Sequence, residues 1–273
     1  MSVTPTVDHW FDFLCPFCYL AQDRNRVLRE HGVVVLEHPL QIHPEIGPGG
    51  TAVGPRVGPT YDFLASEAEA AGLPLTWTDR IAYSLPALGA YATLAAADTA
   101  AAHTDAAADT GTADTTAAAH TDAAGHGVVA GTDAAADATV GADATAAADT
   151  GTADTTAGAD TGTADTTAGA GTGTADTTVA DRFAASVFNA YFGEGKDLES
   201  RDLLLALTEA AGGDPEIVRA AWESGEADRA VGKSAILAYE NGVQGTPAWV
   251  AGGQSVSGLR PRAWFENWAK SLA

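Results

Sequence analysis

From Asp98 to Thr178 the chain is built almost wholly of Ala, Asp, Thr and Gly. That run limits the fold more than any other feature. It holds no Phe, Trp, Tyr, Leu, Ile or Met, and its largest apolar side chains are Val128, Val129 and Val140. Such a segment buries too little apolar surface to offset its ordering entropy. It is expected to be a disordered acidic insertion, so any core must come from the two flanks. The heptapeptide TGTADTT starts at Thr110, Thr150, Thr161 and Thr172, and AHTDAA at Ala102 and Ala119. A Ca²⁺-binding solenoid would need Gly-Gly-x-Gly-x-Asp spacing, which is absent. An ice-binding threonine face would need more regular copies. His103, His120 and His126 lack metal-ligand spacing and read as solvated.

The insertion carries 13 aspartates and no lysine, arginine or glutamate, out of a formal net charge of −22. The flanks together hold 14 basic and 23 acidic residues, so they too are acidic. That balance argues against nucleic acid or an anionic membrane as partner. With only three lysines, the bias fits either a high-salt cytoplasm or a GC-rich genome. No stretch approaches the ~20 apolar residues of a membrane span. Met1 to Val7 shows no basic and apolar leader, so a cytoplasmic location is expected.

The chain has only two cysteines, Cys15 and Cys18, and they lie where an apolar run gives way to a helical pattern. Thr6 to Leu14 is β-branched and aromatic and reads as a strand. From Cys15, the residues Cys18, Leu20, Ala21, Val27, Leu28 and His31 recur on one helical face, with Asp23, Arg26, Arg29 and Glu30 on the other. Pro16 suits the first turn, and Gly32 ends the helix at C′. Val33 to Leu40 is apolar enough for a strand buried on both faces. Strand, helix and strand of these lengths imply a right-handed parallel crossover.

A C-x-x-C pair at a strand-to-helix junction can open and close a small disulfide ring. The unpaired N–H groups at the helix start favour the thiolate at Cys15. The chemistry then runs in two attacks: exposed Cys15 forms a mixed disulfide, and Cys18, one turn inward, resolves it. Pro16 and Phe17 sit between them and help set the potential. A zinc site would need two more ligands, with His38 and His43 the nearby candidates, and no metal is expected. Asp12 is placed to act on the Cys18 proton, or to serve as a capping or solvated group.

After Pro44–Pro59, a Gly- and Pro-rich loop, helices are expected over Tyr61–Gly72 and Pro86–Ala97. Beyond the insertion they resume over Val179–Phe192, Arg201–Ala211 (capped by Ser200), Asp214–Trp222 and Arg229–Asn241. Strands follow at Ala248–Val250 and Gln254–Ser257. Pro261 opens a last helix with Trp264, Phe265, Trp268 and Leu272 inward. Thr246-Pro247, directly before a strand, suggests a cis bond in a tight turn that leaves the Thr246 backbone free for an extended substrate. Trp249 reads as groove or core, and Tyr61, Phe63, Trp77 and Tyr83 as candidates for a cleft wall.

Cys15-Pro16-Phe17-Cys18 after the first strand, Phe11-Asp12-Phe13, His43-Pro44-Glu45, Phe188-Asn189-Ala190-Tyr191-Phe192 and Gly245-Thr246-Pro247 resemble the DsbA-like thioredoxin-fold oxidoreductases, FrnE-like branch. The likeness spans residues 6–97 and 179–273. It implies an α/β thioredoxin fold from 1–45 and 226–273, a helical domain from 46–97 and 179–225, and the 98–178 insertion. It implies thiol–disulfide exchange without a cofactor, acting on disulfide-containing proteins or small thiols, with Thr246 and Pro247 binding substrate. The frame also resembles 2-hydroxychromene-2-carboxylate isomerases and kappa-class glutathione transferases. Those carry Ser at the place of Cys15 and use glutathione, so a glutathione-dependent isomerase or transferase is the alternative. A third reading makes the protein a binding module whose acidic repeat is the working part.

Overall fold

A computed structural model describes residues 4–109 and 177–272. At its centre, strand β1 (Thr6–Phe11) pairs in parallel with β2 (Val34–Pro39), from Thr6 opposite Val34 to Phe11 opposite Pro39. On its other side β1 runs antiparallel to β5 (Ala248–Ala251), which pairs with β6 (Gln254–Ser257). The sheet order is β2-β1-β5-β6. Helix α1 (Pro16–Glu30) makes the crossover between β1 and β2, and α8 (Arg262–Leu272) closes the chain, which is the βαβ…ββα arrangement of a thioredoxin fold.

Alternation along the strands sorts the two faces. Val7 and Trp249 point to one side and pack with Val27 and Leu28 of α1 and Phe265 of α8. Trp10, Ala248 and Val250 point to the other, against Ala238 at the end of α7 (Glu226–Glu240). The remaining helices are α2 (Pro59–Ala70), α3 (Leu85–Asp109), α4 (Val179–Phe188), α5 (Arg201–Ala210) and α6 (Pro215–Glu223). Leu88, Tyr91 and Leu94 of α3 share a core with Phe183, Val187, Leu204 and Val218. Gly89 allows α3 and α7 to meet closely: a Cβ there would stand 2.8 Å from the Ala227 Cβ.

Local signals were good guides to helix ends. Gly32 adopts φ +78° just past α1, and Ser200 and Asp214 accept N–H bonds at the starts of α5 and α6. Four expectations need correction. Asp23 is 5% exposed rather than on a solvated face, because α1 is flanked by α2 and α8. There it ion-pairs with Arg24, Arg26 and Arg262. Strand β2 is an edge strand with Val34 and Leu36 on its uncovered side. Trp264 is partly exposed rather than inward, while its neighbours Phe265 and Trp268 are buried. Lastly, the loop before α2 contains β3 (Thr51–Ala52), paired with β4 (Arg80–Ile81).

Helix α3 also runs past Ala97 to Asp109, since alanine favours helix even without burial. The expected disorder of the repeat lies, from residue 110 to 176, outside the described residues, as do His120 and His126. The Ala180 N–H donates to the Asp98 carboxylate at 2.8 Å, so the start of α4 lies beside α3. Among the described residues no helix is long and apolar enough to cross a membrane.

A buried polar chain ties these layers. The Trp249 indole donates to Asn25 Oδ1 (2.7 Å), and Asn25 Nδ2 donates to Glu37 (2.6 Å) and lies 2.9 Å from His9 Nδ1. Arg29 lies 3.5 Å from Glu37 and 3.0 Å from Asp181 of α4. Burial pushes the Glu37 carboxyl up, but the nearby His9 ring, 3.6 Å away, and the Arg29 charge more than reverse this, to about 2. Burial lowers the His9 imidazole, against the pull of Glu37.

Candidate active site

Strand β1 ends at Phe11, and the next four residues turn the chain into α1. The Cys15 N–H donates to the Asp12 carbonyl at 3.1 Å, closing that turn. Cys15 is the N-cap of α1, and Pro16 takes the first helical position, where it needs no N–H partner. The Cys15 carbonyl accepts from the N–H groups of Cys18 (2.9 Å) and Tyr19 (3.1 Å). Cys18 therefore lies one turn along, fully buried, and both cysteines are free thiols. Cys15 is only 4% exposed, a correction to the open thiol expected. Residues from several parts of the chain roof it, and solvent reaches it through a cleft.

Opposite stands the turn before β5. Thr246-Pro247 is a cis peptide, as its sequence context suggested. Its Thr246 carbonyl lies 3.4 Å from Cys15 Sγ and accepts a bond from the thiol. Burial raises the Cys15 thiol, but the neighbouring Cys18 thiol, hydrogen-bonding toward Cys15 Sγ, is the largest of the effects that bring it below the ordinary value. For Cys18, burial and the adjacent Cys15 act together and push the thiol well up. The pair is thus split, with Cys15 shifted down and Cys18 shifted up.

Asp12 lies wholly out of solvent behind this turn. Its carboxylate accepts the N–H of Leu14 (3.1 Å) and of Ile42 (2.9 Å). Burial raises the carboxyl despite those two bonds. Leu14 and Ile42 both line the cleft, so Asp12 joins the loop after β1 to the loop after β2.

The cleft has a volume of about 300 Å³. One wall is Leu14, Cys15, Pro16, Phe17 and Thr246; Ile42 and His43 lie along its lining, with Arg56, Trp77 and Tyr191 among the rest. Of the four aromatic residues proposed for a wall, Trp77 lines the cleft and Tyr61 packs edge-on against it at 5.3 Å. Phe63 and Tyr83 are not part of the lining, and Trp249 is a fully buried core residue. His38 pairs with Asp8 (2.7 Å) and His43 with Glu45 (2.8 Å), so each answers a carboxylate.

Sequence reading missed Arg56, Thr76, Thr78, Ile81 and the lining role of Tyr191 and Phe192. The last two lie on a π-turn, Asn189–Gly193, that continues α4. Its wider coil carries them into the cleft, and the Thr76 N–H and hydroxyl bond to the Phe192 and Gly193 carbonyls. Only the Phe-Asn-Ala-Tyr-Phe string hinted at them; no local pattern marked Arg56.

A thioredoxin fold whose first helix starts on a C-x-x-C pair facing a cis-proline turn defines a thiol–disulfide type of site. The DSBA-like thioredoxin domain model matches residues 6–156 and 155–267, and the chain belongs to that family. No curated protein matches the sequence. Among solved structures it is similar to the probable DsbA oxidoreductase of Streptomyces coelicolor, with 17% identity, TM-score 0.59, and 98% of this chain and 89% of that one covered. It is also similar to a 2-hydroxychromene-2-carboxylate isomerase, with 16% identity, TM-score 0.55 and coverage of 98% and 94%. A third is the cytosolic disulfide reductase DsbM of Pseudomonas aeruginosa, solved with GSH, with 15% identity, TM-score 0.51 and coverage of 98% and 96%. At these identities the likeness is one of fold.

Proposed function

We propose that the protein is a dithiol–disulfide oxidoreductase in which Cys15 is the nucleophile and Cys18 the resolving thiol. The observation that carries this reading is the placement of Cys15: helix N-cap, cleft-lining, and bonded to the Thr246 carbonyl. The Cys15 thiolate attacks one sulfur of a substrate disulfide, forming a mixed disulfide and releasing the first thiolate. Cys18 then loses its proton and attacks Cys15 Sγ, closing the Cys15–Cys18 disulfide and releasing the second thiolate. Two electrons pass to the substrate, and the two protons end on the released thiols. Reversed, the same steps oxidise a substrate dithiol. Pro16 and Phe17 shape the rim, and the Thr246 backbone with Pro247 positions the incoming chain. Asp12 anchors the two loops through the backbone N–H groups its oxygens accept, and is the candidate relay for the Cys18 proton.

No metal or cofactor enters this scheme. A cytoplasmic site of action is supported by the cytosolic relative DsbM. The decisive experiment is Cys18→Ala incubated with a disulfide: a stable adduct on Cys15 by mass spectrometry is expected, and absence of any adduct sinks the reading.

A second reading, a glutathione-dependent isomerase or transferase of the kappa type, is favoured by the GSH in the DsbM structure and the isomerase among the fold neighbours. It predicts glutathione binding that survives Cys18→Ala together with no disulfide reduction.

A further inference from the structure

We infer that the cleft beside Cys15 is built for a substrate bearing a carboxylate close to its sulfur, with Arg56 as the specificity-determining cation. This rests on the oxidoreductase reading of Cys15. The guanidinium of Arg56 lies over two aromatic rings, 5.9 Å from the Tyr61 centroid and 5.7 Å from that of Trp77, and Nη1 donates to the Tyr61 hydroxyl at 3.4 Å. Among the described residues no carboxylate pairs with it, and its Nε is shielded from solvent without an acceptor. Both features leave a partly desolvated cation uncompensated, which is unfavourable until an anion arrives.

The charge around it is one-sided. Among the described residues no Asp or Glu lines the cleft, and the other basic side chain there, His43, already faces Glu45. In a chain of net charge −22, a cavity whose unanswered charge is positive stands against the field of the whole molecule. Its volume of about 300 Å³ sits at the lower end of small-molecule sites. A small carboxylated disulfide or thiol fits these conditions. A carboxylate on Arg56 would leave the sulfur within the same cavity as Cys15, with Trp77 and Phe17 flanking its methylenes.

A purely structural Arg56, pinning the loop before α2 to its aromatic pair, would explain the stacking. It would not make Cys15 discriminate between an anion and a neutral molecule of the same size. The test is therefore the ratio of Cys15 alkylation rates with iodoacetate and iodoacetamide, each divided by the rate for a free small thiol. In the folded protein the normalised ratio is expected to favour iodoacetate by about tenfold or more, the usual effect of a charge-assisted contact. Arg56→Gln should bring that ratio to about one or below, whereas Arg56→Lys should keep most of it. A normalised ratio near one in the unsubstituted protein, or a ratio unchanged by Arg56→Gln, overturns the inference and leaves the oxidoreductase reading standing. Failure of Cys15 to react with either reagent instead removes the reading on which the inference rests.

Discussion

The two sides of the cleft are made in different ways. The side that carries the sulfur is one short, contiguous turn, Leu14 to Phe17, plus Thr246 from the turn before β5. Each of these residues is where it is for a local reason: a helix start, a proline that needs no donor, a proline before a strand. The opposite side is assembled from three separate stretches of the chain: Arg56, the run from Thr76 through β4 to Ile81, and the π-turn after α4. Reactivity in this protein is thus local, while shape and charge are collective. Asp12 ties the sulfur-bearing turn to the loop after β2, through one N–H from Leu14 and one from Ile42.

The contrast can be broken at either side. Cys15→Ser removes the thiolate and is expected to lower disulfide exchange by about a thousandfold or more, with the fold unchanged by circular dichroism. A residual rate within tenfold of the original would move the chemistry away from this wall. Asp12→Ala strips the acceptor from one buried and one part-buried N–H group, and a loss of about 2–4 kcal/mol in urea unfolding is expected. It should also slow exchange, since both loops lose their common anchor. Full stability in that variant would show that the loops hold each other without it.

Acid should loosen the link between the sheet and α4. Glu37 titrates near 2 in the fold against an ordinary 4.5, so its contribution is complete above about 4.5 and disappears as pH falls toward 2. His9 adds to this in the same direction. Its folded value is lowered, so below about 6.5 the unfolded chain takes up a proton that the fold refuses, and stability declines with falling pH. Urea midpoints at pH 7.5, 5 and 3 should therefore fall in that order, and Glu37→Gln should flatten the lower part of the curve. The smallest effect is expected from Trp77→Ala, which cuts away one face of the far wall. KM for a small disulfide should rise about tenfold with kcat nearly kept, as for lost uniform binding. An equal fall in kcat would mean that the wall also positions the reacting sulfur.

The same contrast decides what was legible beforehand. Helix α1, its caps, the β1–β2 crossover and the cis turn at Thr246-Pro247 each follow from signals within a few residues, while the meeting of that turn with Cys15 was implied only by the family resemblance. Asp23 was misread because helical periodicity reports polarity rather than surroundings; α2 and α8 bury what the wheel places outside. Strand β2 looked like an interior strand because Val34 and Leu36 are apolar, though both are nearly half exposed on the edge strand. Arg56 was invisible for the reverse reason. Only Tyr61, Trp77 and the distant cysteine together give it meaning, and nothing in Gly54-Pro55-Arg56-Val57-Gly58 announces them.

The π-turn at Asn189–Gly193 has an evolutionary corollary. Such a turn amounts to one surplus residue in a helix, and each residue of a helix advances the chain by about 100°. Deleting a single residue there would swing Tyr191 and Phe192 off the cavity together, and Phe192 would lose its stacking on Tyr19 of α1. Selectivity in this scaffold can therefore change by a frame step in one helix, without any exchange of side-chain types.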